Sequence, residues 1–209
     1  MSDQTDSALN FIEQIRQKAP EFLNLITAEN NIDFEQAFDA LLEKAVIGLE
    51  TNKRNFASLD EDGLSGVLAL ALSVPGLSVT REAHSNGHVD LTIETNHCTP
   101  ARRKLGEAKI YNGPAYHISG LQQLLDRYTT GRESRGLLIE YFRQRNIAGL
   151  VEKIRQEMDK NHPCQQHGDT SNHVLRWSFL SKHDHSCGET LEVGHIGCNL
   201  YIEPTEGVN

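Results

Sequence analysis

The chain has 209 residues, 38% of them hydrophobic, with a mean hydropathy of -0.47. That length and composition suit one compact domain with a core and exclude wholesale disorder. The longest apolar run, Val67 to Leu72, is far short of the ~20 residues that cross a bilayer. The polar, acidic start Met1-Ser2-Asp3-Gln4 is unlike a signal peptide, so a cytoplasmic protein with no membrane partner is expected. Net charge is -9, which argues against a nucleic-acid partner until its distribution is considered. Residues 1–62 carry 13 acids and 5 bases, whereas residues 100–145 carry 9 bases and 4 acids. A basic stretch on an acidic chain can still neutralise phosphates.

The first fifty residues are helical in pattern. Ser7 can cap a helix carrying Leu9, Phe11, Ile12 and Ile15, and Pro20 ends it or starts the next. Phe22, Leu23 and Ile26 continue in a short second helix. Asp33 is the expected cap of a third, with Phe34, Ala37, Phe38, Leu41, Leu42 and Val46 on one stripe. Without obvious chemistry, residues 1–57 read as an N-terminal helical extension for packing or assembly, leaving residues 58–209 as the main domain.

Acids Asp60, Glu61 and Asp62 open the next helix, which buries Leu64, Val67, Leu68, Ala71 and Leu72 and stops at Pro75-Gly76. Leu77 to Arg81 alternates as a strand, and Ser85-Asn86-Gly87-His88 reads as a hairpin turn. Strands are expected at Val89 to Thr95 and Leu105 to Tyr111, then a helix from Ile118 to Tyr128. The apolar run Gly136 to Phe142 suits a strand buried on both faces. A helix from Ile147 to Met158, a polar loop from His162 to Ser171 and a closing hairpin of Val174 to Leu180 with Leu191 to Ile202 complete the chain. The order predicts an α/β fold, one mixed sheet flanked by helices.

Four irregularly spaced cysteines do not suggest a disulfide framework. Cys164-x-x-His167 and His195-x-x-Cys198 have zinc-like spacing. Neither resembles a known finger, and the segment alternates like a hairpin, so a structural zinc is not expected. No Ser-His-Asp elbow, P-loop or dinucleotide glycine motif is present.

The informative stretch is Asp90 to Lys109. Strand alternation puts Glu107 and Lys109 on one face and Ala108 on the other. If the two strands pair, Asp90 meets Glu107 and builds a two-carboxylate oxygen site. Such a site suits Mg²⁺, which is held by one or two carboxylates and shares substrate phosphates. Lys109 alongside would position water or stabilise charge on a scissile phosphate.

Asp90 in Gly-His-Val-Asp, then Glu107 and Lys109 in Gly-Glu-Ala-Lys, then Gln123 in Gln-Leu-Leu-Asp-Arg-Tyr form a pattern that resembles the PD-(D/E)XK nuclease superfamily. The resemblance covers roughly residues 58–145 and departs from the pattern at Val89, where proline is common. It implies a restriction-endonuclease-like αβββαβ core and a metal-dependent DNA endonuclease. Asp90, Glu107, Lys109 and Gln123 would be catalytic, with Gln122 the rival of Gln123. Glu61, or Asp62 in its place, would join Asp90 and Glu107 as a metal ligand. Mg²⁺ is the implied cofactor, with Mn²⁺ a substitute. Arg127, Arg132 and Arg135 are the expected contacts to DNA. The absence of a sequence-reading or motor domain suggests the effector of a bacterial anti-phage defence system, regulated by a protein partner or by oligomerisation through the N-terminal helices. The alternative is a catalytically silent nuclease-fold subunit that binds or assembles.

Overall fold

The computed structural model describes residues 2–81, 83–84, 88–95, 97 and 101–204. The turn residues Ser85, Asn86 and Gly87, and Cys98, lie outside the described residues. Three helices come first: α1 (Ser2–Lys18), α2 (Pro20–Thr27) and α3 (Asn31–Thr51). Proline begins α2, where its missing N–H costs nothing. The cap of α3 is Asn30 rather than Asp33: its side-chain oxygen accepts from Asp33 N at 2.9 Å. Asp60 caps α4 (Glu61–Leu72) in the same way, accepting from Gly63 N at 2.9 Å.

The strands follow as β1 (Leu77–Thr80), β2 (Ala83–His84), β3 (His88–Val89), β4 (Leu91–Thr95) and β5 (Arg103–Ile110). Helix α5 (Pro114–Gln123) runs into a π-helical turn, Leu124–Tyr128, before β6 (Arg135–Phe142) and α6 (Ile147–Asn161). The chain closes with β7 (Ser171–Asn172), β8 (Phe179–Asp184) and β9 (Thr190–Asn199). Seven strands make one mixed sheet in the order β1-β4-β5-β6-β9-β8-β7, while β2 and β3 form a separate ribbon. β4 is antiparallel to both β1 and β5; β6 is parallel to β5 and to β9. No described helix is long and apolar enough to cross a membrane.

The sheet separates two apolar layers. On one side Phe34, Phe38 and Leu42 of α3 share a cluster with Leu64 and Leu68 of α4 and with Ile93, Ala108, Leu137, Ile139 and Ile196 of the sheet. On the other, Leu121 and Leu124 pack with Leu105, Leu138, Phe142, Val193 and the buried face of α6. This corrects the expected division at residue 57, because α3 is a structural layer of the sheet's own core. Leu9, Phe11 and Ile12 of α1 remain exposed.

The closing hairpin also begins later than alternation predicts. Trp177 takes a left-handed backbone (φ 57°), and strand pairing starts at Phe179. The Trp177 carbonyl lies against Gly197 and leaves no room there for a Cβ.

The charge asymmetry of the sequence is resolved inside the molecule. Lys104 of β5 is fully buried, and both Glu35 oxygens accept from its amine at 2.6 Å. The Arg135 guanidinium pairs with Glu35 at 2.6 Å and with Asp39, and the Ser134 hydroxyl donates to Glu35 at 2.6 Å. Burial pulls the Lys104 amine below its ordinary value. Burial also opposes charge on Asp39, but the hydrogen bond from His173 and the charge of Arg135 outweigh it and hold that carboxyl low. Acids of α3 therefore neutralise bases of β5 and β6. Removing one partner of such a cluster leaves buried charge uncompensated, at a cost of about 3–5 kcal/mol. Glu35→Ala should lower unfolding stability in urea by that order; a loss under about 1 kcal/mol would show the cluster to be dispensable.

Candidate functional site

Pairing of β5 with β4 ends at the Leu91–Gly106 pair, so Glu107 to Ile110 run past the start of β4. Backbone donors at a strand's free edge need acceptors. Two carboxylates supply them. Asp90 Oδ2 accepts from Ala108 N at 2.8 Å, and Glu61 Oε2 accepts from Ile110 N at 2.9 Å. Asp90 comes from the bend between β3 and β4, and Glu61 from the first turn of α4, whose Asp60 cap fixes where that turn begins. The antiparallel register, continued by one residue, sets Asp90 opposite Glu107.

Glu107 and Lys109 share the face of β5 that α5 covers. Their side chains pair at 2.5 Å, and Lys109 Nζ lies 3.5 Å from Glu61 Oε1. The ammonium thus sits between a carboxylate of the sheet and one of α4. Glu107 is buried, and its Oε2 has no hydrogen-bond partner. Burial, then the negative charge of Asp90, raises the Glu107 carboxyl to about 7. Asp90 is raised as well, chiefly by burial. Burial pulls the Lys109 amine down, but its hydrogen bond to Glu107 and the charges of Glu107, Glu61 and Asp90 outweigh that and hold it well above the usual lysine value. The Tyr128 hydroxyl is raised by burial and by the charges of Glu107 and Asp90.

Helix α5 closes the site from above. Gly120 lies against the Lys109 stem, where a Cβ would stand 3.2 Å from Lys109 Cγ. The Tyr116 ring centroid is 6.0 Å from Lys109 Nζ. Gln123, in the last turn, is half-buried with its Oε1 enclosed and unpartnered. Gln122 is exposed and lines a separate cavity of about 560 Å³ with Asp126, Cys164 and Asp184.

The structure therefore brings Asp90, Glu107, Lys109 and Glu61 together; Glu61 and Gln123 are half-buried, while their rivals Asp62 and Gln122 are exposed. Arg127 and Arg132 are exposed. Arg135 is a correction: its guanidinium is buried against Glu35 and Asp39 and presents no charge to a phosphate. Among the described residues, no three His, Cys, Asp or Glu side chains cluster as a ready-made metal site. The donor chemistry nevertheless fits a hard cation. Carboxylate oxygens predominate, one Glu107 oxygen is orphaned, and the positive charge among them is supplied by Lys109.

Sequence reasoning missed a second polar assembly beside the site. His117, Glu140, Ser181, His183 and His195 are none more than 2% exposed and are linked by hydrogen bonds of 2.6–2.8 Å. Only the Ser181-x-His183 spacing on one strand face hinted at it; His117 and His195 are 78 residues apart.

No protein-family model, curated protein or solved structure matches the chain.

The raised Glu107 carboxyl has a measurable consequence. Its folded value lies above its ordinary 4.5, so its contribution to stability is fully present below that pH and is lost as pH rises through about 7. Stability of Glu107→Gln relative to wild type should therefore grow by about 2–3 kcal/mol between pH 4.5 and pH 7.5 in chemical denaturation. A pH-independent difference would contradict the buried, charge-crowded placement of Glu107.

Proposed function

We propose that the chain is a metal-dependent endonuclease that hydrolyses phosphodiester bonds of DNA. The observation that carries this reading is the meeting of Asp90, Glu107 and Lys109 where β5 runs past β4, with Glu61 of the preceding helix. The strand pattern supports it too. After α4 come β1, β4 and β5 in antiparallel succession, then α5, then β6 parallel to β5, the order implied by the restriction-endonuclease-like resemblance.

Asp90 and Glu107, with Glu61, would hold Mg²⁺, and Mn²⁺ would substitute. Bound there, the ion would polarise the scissile phosphate and lower the pKa of attacking water. The chain's own residues divide the remaining work. Lys109 is kept protonated by its carboxylate neighbours, so it acts as a fixed positive charge on the developing phosphorane oxygens rather than as a base. The Gln123 oxygen, enclosed and without a partner in the chain, would accept a hydrogen bond from a water drawn in beside α5. Exposed Arg127 and Arg132, in and after the π-helical turn, supply phosphate contacts that position the strand. The exposed Leu9, Phe11 and Ile12 of α1 favour a protein partner or a second copy there, consistent with an effector under external control in an anti-phage system.

The test is plasmid DNA incubated with wild type, Asp90→Ala and Lys109→Ala in Mg²⁺, Mn²⁺ or EDTA. Cleavage should need the metal and vanish in Asp90→Ala. Lys109→Ala should lose about 10²–10³ in single-turnover rate, the scale of removing one electrostatic stabiliser. Metal-independent cleavage, or a Lys109→Ala variant as fast as wild type, would overturn the reading. Metal-dependent activity in no variant would leave the silent binding subunit as the better description.

A further inference from the structure

The buried polar chain beside the site has a definite direction. The Cys164 carbonyl can only accept, so His183 Nδ1 donates to it, at 3.0 Å. His183 Nε2 then accepts from the Ser181 hydroxyl at 2.7 Å, and Ser181 Oγ accepts from His195 Nε2 at 2.6 Å. His195 Nδ1 accepts from His117 Nε2 at 2.8 Å. His117 Nδ1 and Glu140 Oε2, 2.7 Å apart, are left sharing one proton. Every imidazole nitrogen in the chain has a partner, and each bond fixes the next.

Its only residue on α5 is His117. The fully buried residues of that helix are His117, Gly120 and Leu121, and half-buried Ile118 adds apolar packing beside them. Apolar contact is non-directional. The bonds of His117 are directional and reach two strands, Glu140 on β6 and His195 on β9. One helical turn further on, Gly120 abuts the Lys109 stem and Leu138 Cδ1 (3.2 and 3.3 Å from an ideal Cβ), and the last turn carries Gln123. Glu140 is itself the register partner of Lys109 across β5 and β6.

We propose that His117 is a positioning residue for this site: bonded to Glu140 and His195, it seats α5 so that Gly120 confines the Lys109 side chain. This inference rests on the endonuclease reading for its catalytic consequence, but not for its structural one. His117 touches neither metal nor substrate. It acts through the helix it holds.

Four full-length proteins test the proposal: wild type, Glu140→Gln, His117→Leu and His117→Leu/Glu140→Leu. The amide of Glu140→Gln can donate to His117 Nδ1 and keep the chain intact. The double variant removes both partners, so that no lone carboxyl is buried should His117→Leu fail to fold. In hydrogen exchange at pH 7.5, both leucine variants should lose protection over 117–124 by about tenfold or more, with β6 and β9 within about threefold of wild type. In Mg²⁺-dependent DNA cleavage their kcat should fall by about tenfold or more with KM within about threefold, while Glu140→Gln stays within about threefold on every readout. Wild-type protection of α5 in the leucine variants, a loss carried wholly by KM, or a Glu140→Gln variant as impaired as His117→Leu would overturn the proposal. If wild type cleaves no DNA, the endonuclease reading fails, and exchange alone decides whether His117 seats α5.

Discussion

A strand that outruns its neighbour organises the site. β5 continues past its last β4 pair at Gly106, exposing the amides of Ala108 and Ile110 on one edge. Buried amides without acceptors cost about 1–3 kcal/mol each, so carboxylates from two distant elements are drawn to the same edge. Asp90 and Glu61 take these amides, while Glu107 and Lys109 already project from the strand itself. Three carboxylates so gathered repel one another, and the Lys109 ammonium between Glu107 and Glu61 offsets that repulsion. An acidic cluster with a built-in cation follows from the local geometry of one strand end. That is the chemistry proposed for phosphodiester hydrolysis.

The chain's charge balance acquires a different meaning in three dimensions. Half a dozen bases in the stretch from Arg102 to Arg145 are spent within the molecule. Lys104 and Arg135 pair with α3, Lys109 with the site, and Arg103 with Glu94 at 3.3 Å. Arg102 bonds Asn31 and the Ala28 carbonyl and lies over the Phe34 ring, and Arg143 donates to the Leu59 carbonyl. Arg127 and Arg132 are exposed. A nucleic acid bound here would be held by few phosphate contacts from this stretch, which implies a shallower salt dependence than nine bases in sequence suggest.

Local patterns were legible where local physics decides them. The α4 helix with its acidic first turn, the alternation of Glu107 and Lys109 and the apolar β6 run all follow from short-range periodicity, and all are present. Asn30 displaced Asp33 as the cap of α3 because the two lie within one turn and either can serve. What sequence could not convey were long-range partners. Nothing near Arg135 announces that Glu35 and Asp39, about a hundred residues earlier, will bury its charge. Nor does the stripe of α3 reveal that it packs on the main sheet instead of forming an extension. His117 falls just before the helix expected from Ile118, and nothing local marks its bonds to Glu140 of β6 and His195 of β9.

The central claim is that the carboxylates around β5 bind a divalent cation, and the most direct measurement is Mn²⁺ binding to the DNA-free protein, followed by electron paramagnetic resonance. The account predicts saturable binding in wild type that is lost in Glu107→Gln and in Asp90→Asn. Binding that is absent from wild type, or unchanged in both variants, would contradict it.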